Sequence, residues 1–414
     1  MVSVARMPHR FRENVAFTKG HFAVLLLLVN SFSWYYFGQL IVAKLTSVSE
    51  NSLSLLFGIA FPLSIILSAL AGAIFLSKLR ETRTLYGWLF SGAVASLLPA
   101  LPIGNSFAGI LAIIVVLGCS LGLGMPLLLR RFTDSMPIEN RGVIGGLTFF
   151  MVTISAPIAI IATSNLDLPS SALFLSVWRC WSIPTLRALP KRSESQANYE
   201  RGISFRDVFD NRAFVLYFAA WLMFSMVDGF EEFVTSQYQG EFDFAMTIVE
   251  PIIAGFSALI GGIFADRTGR KKVVIFGFVS LGIAYAACAV LGISSQWSTS
   301  WLLYFVVDGI AIGLLWAMFT IVIWGELATR GTEKYYAVGE VPFFLTQILY
   351  LSSKPYVLFV PYSSAFSLAA FFLFIAVIPL LYAPETLPEK KIQERQLKMY
   401  TEEALKVKQK AKPH

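Results

Sequence analysis

Apolar runs of about twenty residues recur along the whole chain, each parted from the next by a short polar stretch. A run of that length crosses the ~30 Å hydrocarbon core of a bilayer as a single helix. Lipid offers no partner for a backbone N–H or C=O, so such runs are confined to helices. The polar breaks predict twelve spans, at residues 21–45, 53–76, 84–101, 106–130, 143–163, 170–190, 213–236, 244–265, 272–293, 299–325, 337–354 and 363–383. A chain of 414 residues has room for two or three soluble domains, but 56% hydrophobic and 14% charged residues exclude that class. Arg6, Arg10, Arg12 and Lys19 precede the first run as they would in a secretory leader. The run is too long for a leader and no small-residue cleavage site follows, so it is read as a retained span. The fold class expected is an all-α polytopic membrane protein.

An even number of spans puts both termini on one side. Of the 33 lysines and arginines, only Lys44 and Lys354 fall on the other. The excess of cations predicts that both termini are cytoplasmic, in a multi-pass protein of the cell membrane. The net charge of +7 then needs no nucleic-acid partner. Lys406, Lys408, Lys410 and Lys412 read as a solvated tail against anionic lipid. Cys119, Cys180 and Cys288 lie within spans without metal-ligand spacing, and His9, His21 and His414 lie near the termini. With no phosphate-binding glycine loop either, the sequence predicts no enzyme, no metal, no cofactor and no ATP-driven pump.

The chain also repeats itself. Ser68–Lys78, SALAGAIFLSK, aligns with the start of Ser257–Lys272, SALIGGIFADRTGRKK, at an offset of 189 residues. Gly118 and Gly122 face Gly309 and Gly313 at 191, Phe37-Gly38 faces Asp228-Gly229 at 191, and Gly145 faces Gly339 at 194. Four anchors at nearly one offset predict two six-helix halves in the same orientation, with a substrate site between them near the midplane. The halves are expected at 1–190 and 213–389, joined by a cytoplasmic linker at 191–212 that carries a short surface helix, with a basic tail at 390–414.

Gly262 to Lys271, GIFADRTGRK, resembles the G-x-x-x-D-R-x-G-R-K signature of the major facilitator superfamily. Asp134 to Gly142, DSMPIENRG, resembles the E-x-x-P-x-x-x-R-G of its sugar and organic-acid porter branches, with Asp134 in place of Glu. The first-half copy of the signature departs from it. Ser77 replaces the acid, Arg80 the glycine and Glu81 the first basic residue. Gly118 stands where antiporter branches carry arginine, and their glycine–proline pattern in helix five survives only as Ala156-Pro157-Ile158-Ala159. The resemblance implies a proton-coupled secondary transporter of a small polar metabolite, a sugar or organic acid, working as a monomer by alternating access. A multidrug-type efflux antiporter and a non-transporting receptor or scaffold on the same fold are the alternatives.

The resemblance implies gating by Gly262, Asp266, Arg267, Gly269, Arg270 and Lys271, with Glu326, Asp134 and Arg141. Asp266 ends a helix where its carboxylate suits the positive end of a neighbouring helix. In the family that neighbour is helix eleven, here beginning near Tyr335, and Arg270 is expected to pair with Glu326. Ionisable groups inside the membrane mark function by default. Asp308 lies about 14 Å and Glu250 about 10 Å along their spans, and Asp228 is nearer the outer face. Glu231 and Glu232 are expected at the interface. The acids are candidates for proton coupling. Arg179, the one cation equally deep, is expected to bind an anionic substrate or neutralise an acid. Asn30, Tyr35, Tyr36, Gln39, Trp221, Trp316 and Gln347 are the expected cavity lining.

Overall fold

The computed structural model describes residues 18–46, 51–79, 81–102, 106–189, 203–236, 245–291, 299–357 and 361–388, together with 393 and 397. Arg80, most of the linker and most of the basic tail lie outside the described residues, which contain no strand. The first six helices are α1 (Lys19–Thr46), α2 (Asn51–Phe75), α3 (Glu81–Leu97), α4 (Phe107–Gly122, resumed as Met125–Ser135), α5 (Arg141–Ser164) and α6 (Leu168–Cys180). The second six are α7 (Arg212–Ser236), α8 (Glu250–Thr268), α9 (Arg270–Leu291), α10 (Thr299–Trp316), α11 (Thr332–Gly339, resumed as Val341–Val357) and α12 (Tyr362–Tyr382). A wide, π-type turn at Ala317–Ile323 and a last turn at Trp324–Leu327 extend α10.

Among the described residues, nine of these helices are long and apolar enough to cross a membrane, by length and composition. The other three, α3, α6 and α11, are short or broken. Proline explains two of the breaks: α3 tightens into a 3-10 turn at Pro99, and α6 does so at Pro184. The third, α11, is interrupted at Glu340.

Helix starts follow their capping residues. Ser106 accepts the Gly109 N–H ahead of α4, and Asp167 accepts the Ser170 N–H ahead of α6. In the linker, Ser204 and Asp207 form a reciprocal capping box that starts a short helix, Phe205–Asp210. The chain reverses between α8 and α9 at Gly269, whose φ of 108° lies in a region that side chains disfavour.

The two halves meet along α5 with α8 and along α2 with α11. Small residues set the first of these contacts. A Cβ at Gly262 would collide with the Gly142 carbonyl, and one at Gly146 would collide with Ala258. Backbones brought that close maximise dispersion contact where lipid gives no hydrophobic drive. They also fix which helix the loop after α8 can touch.

Candidate functional site

Between the halves lies a cavity of about 1070 Å³. Its wall takes Tyr36 and Gln39 from α1, Phe61 from α2, Asp228 from α7, Glu250 from α8 and Trp316 from α10. Thr46 and Leu55, beside the break between α1 and α2, also border it, so it reaches toward the face opposite the described chain ends. Four of the seven expected lining residues stand in this wall: Tyr36, Gln39, Trp316 and Gln347.

The other three do not. Tyr35 is buried beneath the wall, where its hydroxyl accepts hydrogen bonds from Gln39 Nε2 at 2.6 Å and Gln347 Nε2 at 2.7 Å. It thus joins α1 to α11 across the halves. Trp221 is fully buried in the second half, stacked on Phe319 at 4.8 Å. Asn30 faces the interior of the first half, donating to Trp178 O at 2.5 Å.

Arg179 departs furthest from expectation. It is fully buried in the first half and donates to Asn30 Oδ1 at 3.2 Å and Ser31 Oγ at 2.8 Å. Its guanidinium lies 4.3 Å from the ring centre of Trp88 and 5.1 Å from that of Trp34. Cation–π contact and neutral oxygens replace the expected carboxylate. Counting along a helix measures depth, but α6 packs on α1 and α3, which turns Arg179 away from the cavity.

The acids gather in the second half. Asp308, fully within the protein, accepts from Tyr285 Oη at 2.8 Å, and Glu250 is its neighbour on α8. Glu231 accepts from Tyr304 Oη, and the rings of Tyr304 and Tyr285 stack 6.1 Å apart. Glu250 therefore stands at the wall with Asp308 behind it, while Asp228 stands at the wall one helix away. The interfacial place expected for Glu231 is wrong: it is buried among these acids. Its spacing of three from Asp228 put both on one face of α7, a signal that was legible. Tyr285 and Tyr304 carried no such signal. The Glu232 side chain lies outside the described residues.

On the face that carries the chain ends, polar links close the cavity. Asp266 accepts the backbone N–H groups of Gly142 at 2.9 Å and Val143 at 2.8 Å. These begin α5, not α11 as expected. The cause is the close approach of α8 to α5, which aims the last turn of one at the first turn of the other. Two N–H donors and a positive dipole end hold the carboxylate. Arg270 is fully buried and pairs with Asp266 at 2.7 Å and with Glu326 at 3.0 Å, as expected of Glu326, and it donates to Ile138 O at 2.6 Å.

The rest of the loop is held locally. Glu385 accepts the N–H groups of Arg270 and Lys271 and packs where a Cβ on Gly269 would stand. Lys271 Nζ reaches the carbonyls of Leu381 and Ala383, ending α12. Arg267 and Asp134 are exposed. Arg141 donates to Thr133 O at 2.6 Å and Met136 O at 3.1 Å, which caps the end of α4.

Further links were not anticipated. Arg130 pairs with Glu333 of α11 and with Glu81 of α3, both at 3.2 Å, and Arg131 lies 3.5 Å from Glu81. Thr133 meets the Tyr336 hydroxyl at 2.9 Å. Adjacent arginines at the end of a span read as ordinary cytoplasmic cations, which is why they were passed over.

Residues 213–412 match the family model of the Major Facilitator Superfamily. No curated protein matches the sequence. Among solved structures the chain is similar to the human organic anion transporter MFSD10 (TETRAN), with 16% identity, TM-score 0.63, and coverage of 87% of this chain and 99% of that one. It is also similar to the proton:xylose symporter XylE bound to 6-bromo-6-deoxy-D-glucose, with 11% identity, TM-score 0.68, and coverage of 89% and 96%. The likeness is one of fold, which in this chain is twelve helices in two parallel six-helix repeats.

Proposed function

We propose that this chain is a secondary transporter of the Major Facilitator Superfamily, moving a small polar solute by alternating access with protons as the coupling ion. One observation carries the reading. The cavity lies between the halves, and the links that close it cross between them: Asp266 to Gly142 and Val143, Arg130 to Glu333, and Thr133 to Tyr336. A central cavity closed on one face by breakable polar links suits one end state of a rocking cycle. The cation bias of the sequence puts the closed face in the cytoplasm.

Proton coupling rests on Glu250 and Asp308. A carboxylic acid at the cavity wall that neighbours a buried one changes its solvation whenever the cavity opens or closes, and its proton affinity follows. XylE, by its name, couples xylose to protons, and that coupling is the feature carried over here. The organic anions of MFSD10 are not carried over, because no lysine, arginine or histidine stands among the described residues lining the cavity.

Two single cysteines test this, in a background lacking Cys119, Cys180 and Cys288. Gln39→Cys reports on the cavity, and Leu129→Cys, fully buried at the foot of a recess of about 60 Å³ that is too small to admit a maleimide from the cavity, reports on the opposite exit. In liposomes, a membrane-impermeant maleimide is expected to label the two reciprocally as pH moves between 5 and 8. Asp308→Asn is expected to flatten that dependence. Labelling that never exchanges between the two sites overturns alternating access, and an unaltered pH response in Asp308→Asn overturns the coupling role.

A further inference from the structure

Beneath the cavity, toward the closed face, lies a second and much smaller pocket of about 60 Å³. Tyr36, Phe149, Trp316 and Phe343 belong to the walls of both, so the small pocket is a recess in the cavity floor. Its lining is almost wholly aromatic and aliphatic. The rings touch one another: Trp316 stands edge-on to Phe343 at 4.5 Å, Phe343 meets Phe344 at 4.9 Å, and Tyr35 meets Tyr36 at 5.5 Å.

Among the described residues one charged side chain enters this recess, Glu340, at the break that divides α11. Its Oε1 is buried and completes no hydrogen bond among the described residues, although the Trp324 indole, itself unpaired, lies beside it. On the shared wall, Trp316 Nε1 is likewise buried without a partner. A carboxyl held in largely apolar surroundings with its hydrogen bonding incomplete is unfavourable. A cation brought in from outside would relieve it. Rings around a carboxylate form the arrangement that recognises alkylated ammonium groups, by cation–π attraction together with direct charge pairing. Among the described residues, neither the recess nor the cavity above offers a cation to an anionic solute, whereas the cavity adds Asp228 and Glu250.

We propose that this recess is the head-group subsite for an organic cation. A small alkylated ammonium sits between Tyr36, Trp316 and Phe343 against Glu340, and the rest of the solute lies in the cavity beside Glu250. The proposal rests on the transport reading above and names its substrate class. It also assigns a role to Glu340, which stands between the cavity and the closed face.

Binding to the purified full chain tests it, with choline and tetramethylammonium as probes. The control is the carbon isostere of choline, in which a tert-butyl group replaces trimethylammonium. Both cations are expected to bind at least about tenfold more tightly than the isostere. Glu340→Gln is expected to lose at least about tenfold in choline affinity while keeping its melting temperature, with Glu340→Asp recovering part of the loss. Equal affinity for choline and isostere, undiminished choline binding in Glu340→Gln, or a preference for succinate overturns the assignment. Should the cations fail while Gln39→Cys and Leu129→Cys still label reciprocally, only the substrate class falls. Should reciprocal labelling fail, the transport reading falls with it.

Discussion

The loops after α2 and α8 occupy equivalent places in the two halves, and they fasten the closed face in different ways. After α8, Asp266 clamps the start of α5, and Arg270 meets Glu326 at the end of α10. After α2, the residue in the place of Asp266 is Ser77, which only donates to Ile74 O within its own helix. The residue in the place of Arg270, 189 positions earlier, is Glu81, and it meets Arg130 and Arg131 at the end of α4. The ion pair thus survives in both halves with its signs exchanged, while the clamp survives in one. The physical difference is plain. Attraction between two side chains depends on the product of their charges and tolerates a swap. A helix start is always positive and accepts only an anion.

The largest expected effect comes from breaking the clamp. Asp266→Asn removes a buried charge that bonds two N–H groups and Arg270, so the closed face should lose about 3 kcal/mol, roughly a hundredfold in the open fraction. Labelling of Leu129→Cys from the terminal face measures it. Next comes Arg130→Met, which strands Glu333 and leaves Glu81 held more weakly by Arg131, and should cost about 2 kcal/mol by the same readout. The exchange of signs gives a third prediction. Glu81→Arg combined with Arg131→Glu should recover about 1 kcal/mol relative to the sum of the single changes. Arg270→Glu with Glu326→Arg should recover nothing, because Asp266 and Ile138 O also require a cation at 270. Equal recovery in both halves would erase the distinction drawn between them.

Twelve helices and two repeats were legible because bilayer thickness fixes run length and duplication leaves a constant offset. Azimuth was not legible. Asn30, Trp221 and Arg179 are polar or amphipathic residues at plausible depth, and each faces the interior of its own half. Glycines along α5 and α8 decided that Asp266 meets Gly142, and which helices come that close is a tertiary fact. Glu340 was passed over although it lies inside a predicted span; its meaning comes from rings of α1, α10 and the second part of α11 that converge on it. Tyr35, expected in the cavity wall, lines the recess beneath it and holds Gln39 and Gln347 in place.

The smallest expected effect bears most directly on why the first-half clamp is gone. Ser77→Ala should change the open fraction by no more than about 0.5 kcal/mol, since Ser77 bonds only within its own helix. A sharper version is Ser77→Asp, which restores the acid of the signature. At the 194-residue offset that aligns Gly145 with Gly339, the donors Gly142 and Val143 align with Tyr336 and Ala337. In α5 the donors fall in the first turn, after the start at Arg141, where N–H groups have no partner within the helix. α11 begins earlier, at Thr332, so the N–H groups of Tyr336 and Ala337 are already bonded to carbonyls one turn back. An aspartate at 77 would find no free donors there and would bury a charge for no return. Ser77→Asp should therefore leave the closed face no tighter than Ser77 does. If it lowers Leu129→Cys labelling as much as Asp266→Asn raises it, the first half has kept a working clamp site and lost only its acid.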